Sequence, residues 1–135
     1  MKRKVVVLGG ALGFFILDRL IKSWAVQAEP VHGFFISWGY VLNSGGVFST
    51  PVPQWALVLG ATLALTCLVA LGLQAWKKER LQLFSGVSLM LVGGMSNLLD
   101  RLLGAGVVDV FTLIGGLSFN LADTYLVAGL LLIIL

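Results

Sequence analysis

Four long apolar stretches, separated by polar segments, run along the chain. They cover about residues 5–25, 55–76, 83–103 and 117–135. Each stretch is close to the roughly 20 residues that a helix needs to cross the hydrocarbon core of a bilayer. The pattern predicts an all-α membrane protein, in which a single domain over residues 1–135 forms a four-transmembrane-helix bundle.

The composition agrees with this pattern. Hydrophobic residues make up 59% of the 135 residues, charged residues make up 11%, and the mean hydropathy is +1.02. A soluble domain is typically about 45–50% apolar and about 25% charged. The composition therefore excludes a soluble enzyme, a nucleic-acid-binding domain and a disordered chain, and we expect membrane lipid, not nucleic acid, around this protein.

Positive charges are distributed unevenly among the connections. Connections 26–54 and 104–116 contain no Lys or Arg, whereas the N-terminus and the connection after the second stretch carry six cations. These are Lys2, Arg3, Lys4, Lys77, Lys78 and Arg80. By the positive-inside rule, both termini of this multi-pass protein of the cytoplasmic (inner) membrane face the cytoplasm, and the two uncharged connections lie outside. A cleaved signal peptide is the alternative for the first stretch, but Asp18, Arg19 and Lys22 interrupt its apolar part.

The outer connection 26–54 is rich in aromatic and β-branched residues. Residues 34–42 read FFISWGYVL, and the turn-forming residues NSGG follow at 43–46. This pattern predicts a small antiparallel β element over about residues 31–50, on the outer surface of the membrane. His32 is the only histidine and has no second His or Cys nearby. We therefore expect neither a metal site nor a cofactor.

Four of the six acidic residues fall at similar depth on the outer side of the membrane in this topology: Asp18, Asp100, Asp109 and Asp123. An ionisable group inside the bilayer costs about 2.5–3.5 kcal/mol on the insertion scale, so each needs a partner or a use. Asp18 has Lys22 four residues later, which is the favourable orientation for a helical ion pair.

Asp100 and Arg101 are adjacent and cannot face each other on one helix. Asn97 shares a helix face with both. We expect a polar cluster at the outer end of the third helix. Arg101 has two further candidate partners, a carboxylate on another helix and a lipid phosphate.

Asp109 and Asp123 have weaker structural explanations. Asp109 stands in an apolar segment without a neighbouring cation, and its structural alternative is a turn residue. Asp123 has the alternative of a helix N-cap or a first-turn acid. Together, with Asn97 and Asn120 nearby, the two aspartates resemble an acid–base pair that shares one proton, so that one activates water and the other protonates the departing group.

A small four-helix proton-coupled membrane transporter is the alternative function, with the aspartates as a proton relay. A transporter would place its carboxylates near the midplane, whereas Asp109 and Asp123 fall near the outer boundary, which favours hydrolysis. The chain contains no Gly-x-Ser-x-Gly elbow, no His-Glu-x-x-His and no Walker loop. Gly9 and Gly13 form a small-xxx-small pair, as do Gly93 and Asn97 loosely, and we expect both pairs to serve helix packing.

The polar segments, taken in order, resemble those of the bacterial lipoprotein signal peptidases, also called signal peptidase II. Residues 18–22 (DRLIK) resemble the family's Asp-x-x-x-Lys, and residues 43–49 (NSGGVFS) resemble Asn-x-Gly-x-Ala-Phe-Ser. Residues 93–101 (GGMSNLLDR) and 106–109 (GVVD) resemble Gly-Ala-x-Gly-Asn-x-x-Asp-Arg followed by Gly-x-Val-x-Asp-Phe. Residues 119–123 (FNLAD) resemble Phe-Asn-x-Ala-Asp. Four such blocks, in this order on a chain with four predicted spans, make the resemblance to this family specific.

The resemblance implies an intramembrane aspartic endopeptidase that removes the signal peptide of prolipoproteins on the N-terminal side of a diacylglyceryl-modified cysteine. Its catalytic pair corresponds to Asp109 and Asp123. The residues that shape the site or support it would be Asn43, Asn97, Arg101, Asn120, Asp18, Lys22 and Asp100. The outer β element would be the family's extracytoplasmic β-cradle. The implied partners are the lipid-modified prolipoprotein and membrane lipid, with the enzyme acting as a monomer and globomycin as its inhibitor.

Three positions depart from the family pattern. Val47 stands where Ala is usual, Ser96 stands where Gly is usual before Asn97, and Val110 separates Asp109 from the following Phe. These departures alter the groove around the pair without changing either aspartate.

Overall fold

The computed structural model describes residues 1–46 and 50–135. It is mostly helical, with helices α1 Lys2–Ala25, α2 Gln54–Lys77, α3 Leu81–Leu103 and α4 Leu121–Ile134. A small sheet contains strands β1 Ile36–Asn43, β2 Val107–Leu113 and β3 Ser118–Phe119. The Val47 departure lies outside the described residues.

The helices fall on the four apolar stretches. Among the described helices, α2 and α3 are long and apolar enough to cross a membrane by length and composition, and α4 is a shorter apolar helix. The predicted fourth stretch, about 117–135, contains α4, which begins at Leu121 after Ser118 and Phe119 form β3. Asn120 sets that start, since its side chain accepts a hydrogen bond from the Asp123 backbone N–H.

The β element has a different pairing from the predicted one. Strand β1 lies within the predicted range 31–50, but its partner is β2 in the connection between α3 and α4. The sheet order is β1-β2-β3 with antiparallel pairing. An irregularity between Trp38 and Val41 shifts the register of β1 against β2. The sheet therefore joins the α1–α2 connection to the α3–α4 connection, and Asp109 lies on the central strand and not in a turn.

Helix α3 is the centre of the bundle, with α1, α2 and α4 packed against it. Its approach to α4 depends on glycine, because a Cβ on Gly86 would lie 2.7 Å from the Gly129 carbonyl oxygen and a Cβ on Gly93 would overlap the Ala122 carbonyl oxygen. The expected packing role of Gly9 and Gly13 is wrong for the described part of the chain, where neither has a neighbour within 4 Å of its Cβ position. The glycines that bring helices together are those of α3 and α4.

Candidate active site

Asp109 is buried on strand β2, with 1% of its surface exposed. Its Oδ1 accepts a hydrogen bond from Asn120 Nδ2 at 2.8 Å, and its Oδ2 accepts one from Asn43 Nδ2 at 3.3 Å. Asn43 ends β1 and its own Oδ1 accepts the Gly45 backbone N–H at 3.1 Å, which turns its amide group towards Asp109. The sheet and the start of α4 thus hold Asp109 from both sides.

Asp123 lies in the first turn of α4 and forms a reciprocal capping box with Asn120. The Asp123 N–H donates to Asn120 Oδ1 at 3.0 Å, and the Asn120 N–H donates to Asp123 Oδ2 at 3.1 Å. The remaining oxygen, Oδ1, accepts a hydrogen bond from Asn97 Nδ2 at 2.8 Å. Asp123 is therefore the predicted first-turn acid of α4 and, at the same time, a residue of the site.

Asn120 connects the two aspartates. Its side-chain oxygen caps Asp123 and its side-chain amide donates to Asp109. Because its oxygen accepts the Asp123 N–H while its NH₂ group donates to the Asp109 carboxylate, the amide has a single orientation that satisfies both. Asp109 and Asp123, which lie in different elements, are brought together by this one residue.

Burial raises the pKa of the Asp109 carboxyl above its ordinary value, and the negative charge of Asp123 raises this pKa further. The hydrogen bonds from Asn120 and Asn43, and the charge of Lys22, act in the opposite direction. The net direction favours the neutral form of Asp109 relative to an exposed aspartate.

A cavity of about 630 Å³ opens beside the pair. Asp109, Asp123, Asn43, Asn97 and Arg101 line its polar end, while the side chains that α2 contributes are all apolar. The α2 residues in this wall are Leu57, Ala61, Ala64, Leu65 and Leu68. An apolar cavity with a few convergent polar groups is the usual form of a site for an apolar ligand or peptide.

Arg101 extends from the end of α3 to the loop after β1. Its Nη2 donates to the Gly45 carbonyl oxygen at 3.1 Å, while its buried Nη1 has no hydrogen-bond partner among the described residues. Its positive charge lies within electrostatic range of Asp109, Asp123 and Asp100. Arg101 therefore brings a positive charge close to the pair.

A second polar cluster lies behind the pair, around Lys22. The Lys22 side chain is 1% exposed, and its ammonium group lies 3.1 Å from Asp18 Oδ2, 2.7 Å from Asp100 Oδ2 and 2.9 Å from Asn97 Oδ1. The predicted helical pair of Asp18 and Lys22 is present, and so is the predicted polar cluster that includes Asn97 and Asp100. Three acceptors match the three N–H donors of an ammonium group.

Two residues of this second cluster were missed from the sequence. Ser96 Oγ donates to Asp18 Oδ2 at 2.5 Å, and Arg19 Nη1 donates to Ser96 Oγ at 3.2 Å and pairs with Asp100. Asp18 Oδ1 also accepts the Ala122 backbone N–H of α4 at 2.9 Å. The only signal for Ser96 was its departure from the usual Gly, and nothing in the pattern distinguished Arg19 from a surface cation.

The remaining predicted positions have structural outcomes too. Val110 is fully buried next to Asp109. In the described part of the chain, no three His, Cys, Asp or Glu side chains form a group that would hold a metal ion. The nine predicted site residues fall into the two clusters above. Asp109, Asp123, Asn43 and Arg101 line the cavity, and Asn120 is buried against the two aspartates. Asp18, Lys22 and Asp100 lie behind them, with Asn97 between.

Comparisons with known proteins agree on one family. The family described as Signal peptidase (SPase) II matches residues 6–135. The lipoprotein signal peptidase of Streptococcus pneumoniae is 31% identical over 143 residues, which covers 100% of this chain and 94% of the relative. The lipoprotein signal peptidase of Trichormus variabilis is 32% identical over 148 residues, covering 99% of this chain and 89% of the relative.

The fold has solved counterparts. A bacterial membrane enzyme determined by the in meso method at 2.3 Å resolution superposes with a TM-score of 0.78 at 23% identity, covering 99% of this chain and 86% of that one. A second such structure, at 1.9 Å, gives a TM-score of 0.77 at 22% identity, with coverage of 99% and 91%. At this identity the likeness concerns the fold alone.

Proposed function

This chain belongs to the signal peptidase II family, and we propose that Asp109 and Asp123 are its catalytic pair. The protein is a membrane peptidase that removes signal peptides from prolipoproteins. The observation that carries the proposal is the double role of Asn120, which holds both carboxyl groups at the polar end of one cavity. No other pair of acidic side chains among the described residues lines this cavity.

The mechanism is aspartic hydrolysis. One carboxylate removes a proton from water as the water oxygen attacks the scissile carbonyl carbon, and the partner carboxylic acid gives its proton to the carbonyl oxygen. Arg101 lines the polar end of the cavity, and we expect its guanidinium group to bind a substrate carbonyl. Asn43 and Asn120 orient Asp109, and Asn97 orients Asp123. Asp18, Lys22 and Asp100 support the site from behind.

The substrate is a helical signal peptide whose cysteine carries a diacylglyceryl group, and the cut lies on the N-terminal side of that cysteine. The apolar wall from α2 suits a lipid-embedded segment, and we expect the bond to be cut to lie at the polar end, beside the two carboxyl groups. The lipid stays in the bilayer and brings the scissile bond to the outer interface.

The membrane arrangement that fits this function has all four helices crossing the bilayer in one domain. Both termini lie in the cytoplasm, and the β-cradle and the site lie near the outer face. The loop charges support this orientation, because the connections that form the sheet carry no Lys or Arg. We propose that the enzyme works as a monomer, because the proposed site does not need a residue from a second copy.

The proposal is tested by incubating the purified protein with a lipidated prolipoprotein and, separately, with its unlipidated form, and by measuring the cleavage of each. We expect cleavage of the lipidated form alone, and loss of cleavage in Asp109→Asn and in Asp123→Asn with the fold retained. Glu29→Gln, an exposed acidic residue of the outer connection, is the matched control and should remain active. Substantial turnover by either aspartate variant would refute the catalytic pair, and equal cleavage of the unlipidated form would refute the substrate.

A further inference from the structure

The two carboxyl groups of the pair have unequal hydrogen-bond environments. Asp123 accepts bonds of 2.8 and 3.1 Å on its two oxygens, and it lies at the N-terminus of α4, where a helix favours negative charge. Asp109 accepts one bond of 2.8 Å and one of 3.3 Å, the second of which is beyond the usual range, and it lies on a strand. The negative charge is better supported on Asp123.

Lys22 further favours the negative charge on Asp123, because it sets the orientation of the Asn97 amide. The Lys22 ammonium group can only donate, so the Asn97 oxygen that faces it at 2.9 Å must be the acceptor. The Asn97 NH₂ group then has to point at Asp123 Oδ1. Since the backbone N–H at Asp123 Oδ2 is also a fixed donor, both oxygens of Asp123 face donors, and such bonds favour the ionised form.

Among the described residues, neither amide that contacts Asp109 is held by a cation, although the charge of Lys22 also acts on Asp109. Asn120 is fixed by the Asp123 N–H, and Asn43 by the Gly45 N–H, both of which are neutral groups. Arg101 on α3 lies within electrostatic range of both carboxyl groups, and Asp18 and Asp100 are occupied by Lys22 and Arg19. The wall from α2 adds no charge. The weak bond to Asp109 Oδ2 leaves that oxygen as the place for a proton.

We propose that the shared proton resides on Asp109 and that Asp123 acts as the ionised base, held in that state by the positioning residues Lys22 and Asn97. This assignment rests on the proposed catalytic pair.

Asp123 takes a proton from water while the water oxygen bonds to the carbonyl carbon, and the carbonyl oxygen takes the proton of Asp109. The carbon–nitrogen bond then breaks as the nitrogen takes the proton from Asp123 and a hydroxyl group of the intermediate returns its proton to Asp109. The products are a carboxylic acid and an amine, and both aspartates regain their starting states.

The chain allows this to be measured directly, because it contains only four aspartates. Protein labelled with [4-¹³C]aspartate has four side-chain carboxyl signals, and Asp109→Asn and Asp123→Asn identify the two of interest. We expect the Asp123 signal to be that of a carboxylate over a pH range in which the Asp109 signal is that of a carboxylic acid. The opposite order would overturn the assignment.

The positioning role is tested with Asn97→Ala, which removes the link and leaves Lys22 with Asp18 and Asp100. We expect the acidic limb of the pH profile of kcat to move up by about one pH unit, since a hydrogen bond to a charged group is lost. Lys22→Met should move it the same way, and Asn97→Ala serves alone if Lys22→Met does not fold. Lys78→Met, an exposed loop cation, is the control and should not move it.

An unchanged acidic limb in a folded Asn97→Ala protein would exclude the positioning role, because a purely structural role lowers the amount of active protein without moving the profile. The catalytic pair is judged separately, by the activity of Asp109→Asn and Asp123→Asn. If both variants are inactive and the proton is found on Asp123, the pair stands and the assignment fails.

Discussion

The side-chain amide of Asn120 donates to Asp109 Oδ1 at 2.8 Å, from the cap of α4 to the middle strand of the sheet. The same side chain accepts the N–H of Asp123, so the residue that begins the helix also fixes the distance between the two carboxyl groups. Secondary structure and site geometry therefore depend on one asparagine, and the two roles are separable by substitution.

Replacement of Asn120 should separate the cap from the link to Asp109. Asn120→Ser keeps an oxygen that caps α4 but is too short to reach Asp109, so we expect near-normal thermal stability with kcat reduced at least about tenfold. Asn120→Ala removes both, and should cost a further ~1 kcal/mol of stability. Thermal unfolding and steady-state cleavage of lipidated substrate measure the two effects. Full activity in the Ser variant would show that the link to Asp109 is dispensable.

Asp18→Asn should lower stability more than the rate of the chemical step. Asp18 is 1% exposed and accepts bonds from Ala122, Ser96 and Lys22, and removal of one member of a buried ionic cluster costs on the order of 3 kcal/mol. The readouts are the unfolding temperature in detergent and kcat below that temperature. A variant of normal stability that has lost catalysis would place Asp18 at the reaction itself.

The raised pKa of Asp109 predicts how stability changes with pH. Below its ordinary value of 3.8, the carboxyl group is neutral in both folded and unfolded chains, and burial carries no penalty. As pH rises through the raised pKa of the folded protein, the folded protein must ionise a buried carboxyl group. The free energy of unfolding then falls by ~1.4 kcal/mol for each pH unit by which the folded pKa exceeds the ordinary value.

Asp109→Asn lacks this ionisation, so its unfolding temperature relative to the unsubstituted protein should rise as pH increases from about 4 to 8. Glu29→Gln, which alters an exposed carboxyl group, should show no such trend. A constant difference across this range would mean that Asp109 has an unperturbed pKa in the folded protein.

Sequence patterns predicted the helices well because each is marked by a long apolar stretch, which is a local signal. The sheet was predicted only in part. Residues 36–43 were recognisable as a strand from their aromatic and β-branched content, but their partner β2 lies in a different connection. Pairing between distant segments is not encoded in either segment alone, and Asp109 was consequently assigned a turn as its structural alternative.

The site, like the sheet, was predicted only in part from the sequence. Asp109 and Asp123 stood out as acidic residues in apolar surroundings, and the spacing of Asp18 and Lys22 predicted their pair. The links between helices had no sequence signal: Lys22 to Asn97, Ser96 to Asp18 and Asn120 to Asp109 all join residues far apart or on different elements. Such contacts depend on how α1, α3 and α4 pack, which periodicity does not specify.

Lys4 contacts the end of α2. It is 5% exposed, and its ammonium group donates at 2.7 Å to both the Trp76 carbonyl oxygen at the end of α2 and Glu79 Oε1. Lys4→Met leaves this helix end without its cation, so we expect a lower unfolding temperature with unchanged kcat/KM, because the site lies at the other end of α3. Lys2→Met, which alters an exposed cation, should leave both unchanged. A loss of kcat/KM in folded Lys4→Met protein would contradict this separation.

Glu79, the exposed partner of Lys4, should contribute less. The hydrogen bond from Lys4 lowers the pKa of the Glu79 carboxyl, so its contribution is present above the ordinary pKa of 4.5 and is lost as pH falls through the lowered folded value. With 77% of its side chain exposed, the pair is screened by water. Glu79→Gln should therefore change the unfolding temperature less than Lys4→Met does. Equal effects of the two substitutions would mean that the ion pair, and not the contact of Lys4 with the end of α2, stabilises this end.

The close approach of α3 to α4 gives the last prediction. A Cβ on Gly93 would overlap the Ala122 carbonyl oxygen, and Ala122 precedes Asp123 in the chain. Ala is a better helix former than Gly by up to about 1 kcal/mol, so an effect of helix propensity would stabilise Gly93→Ala. We expect the opposite, a loss of about 1–3 kcal/mol from overpacking, because the rigid carbonyl group can be relieved only by moving the first turn of α4. That movement displaces Asp123 relative to Asp109, and kcat should fall at least about tenfold.

Gly9→Ala makes the same chemical change at a position with no neighbour within 4 Å, and should keep full activity and equal or higher stability. If both variants behave alike in unfolding and cleavage assays, the spacing of α3 and α4 does not set the geometry of the pair.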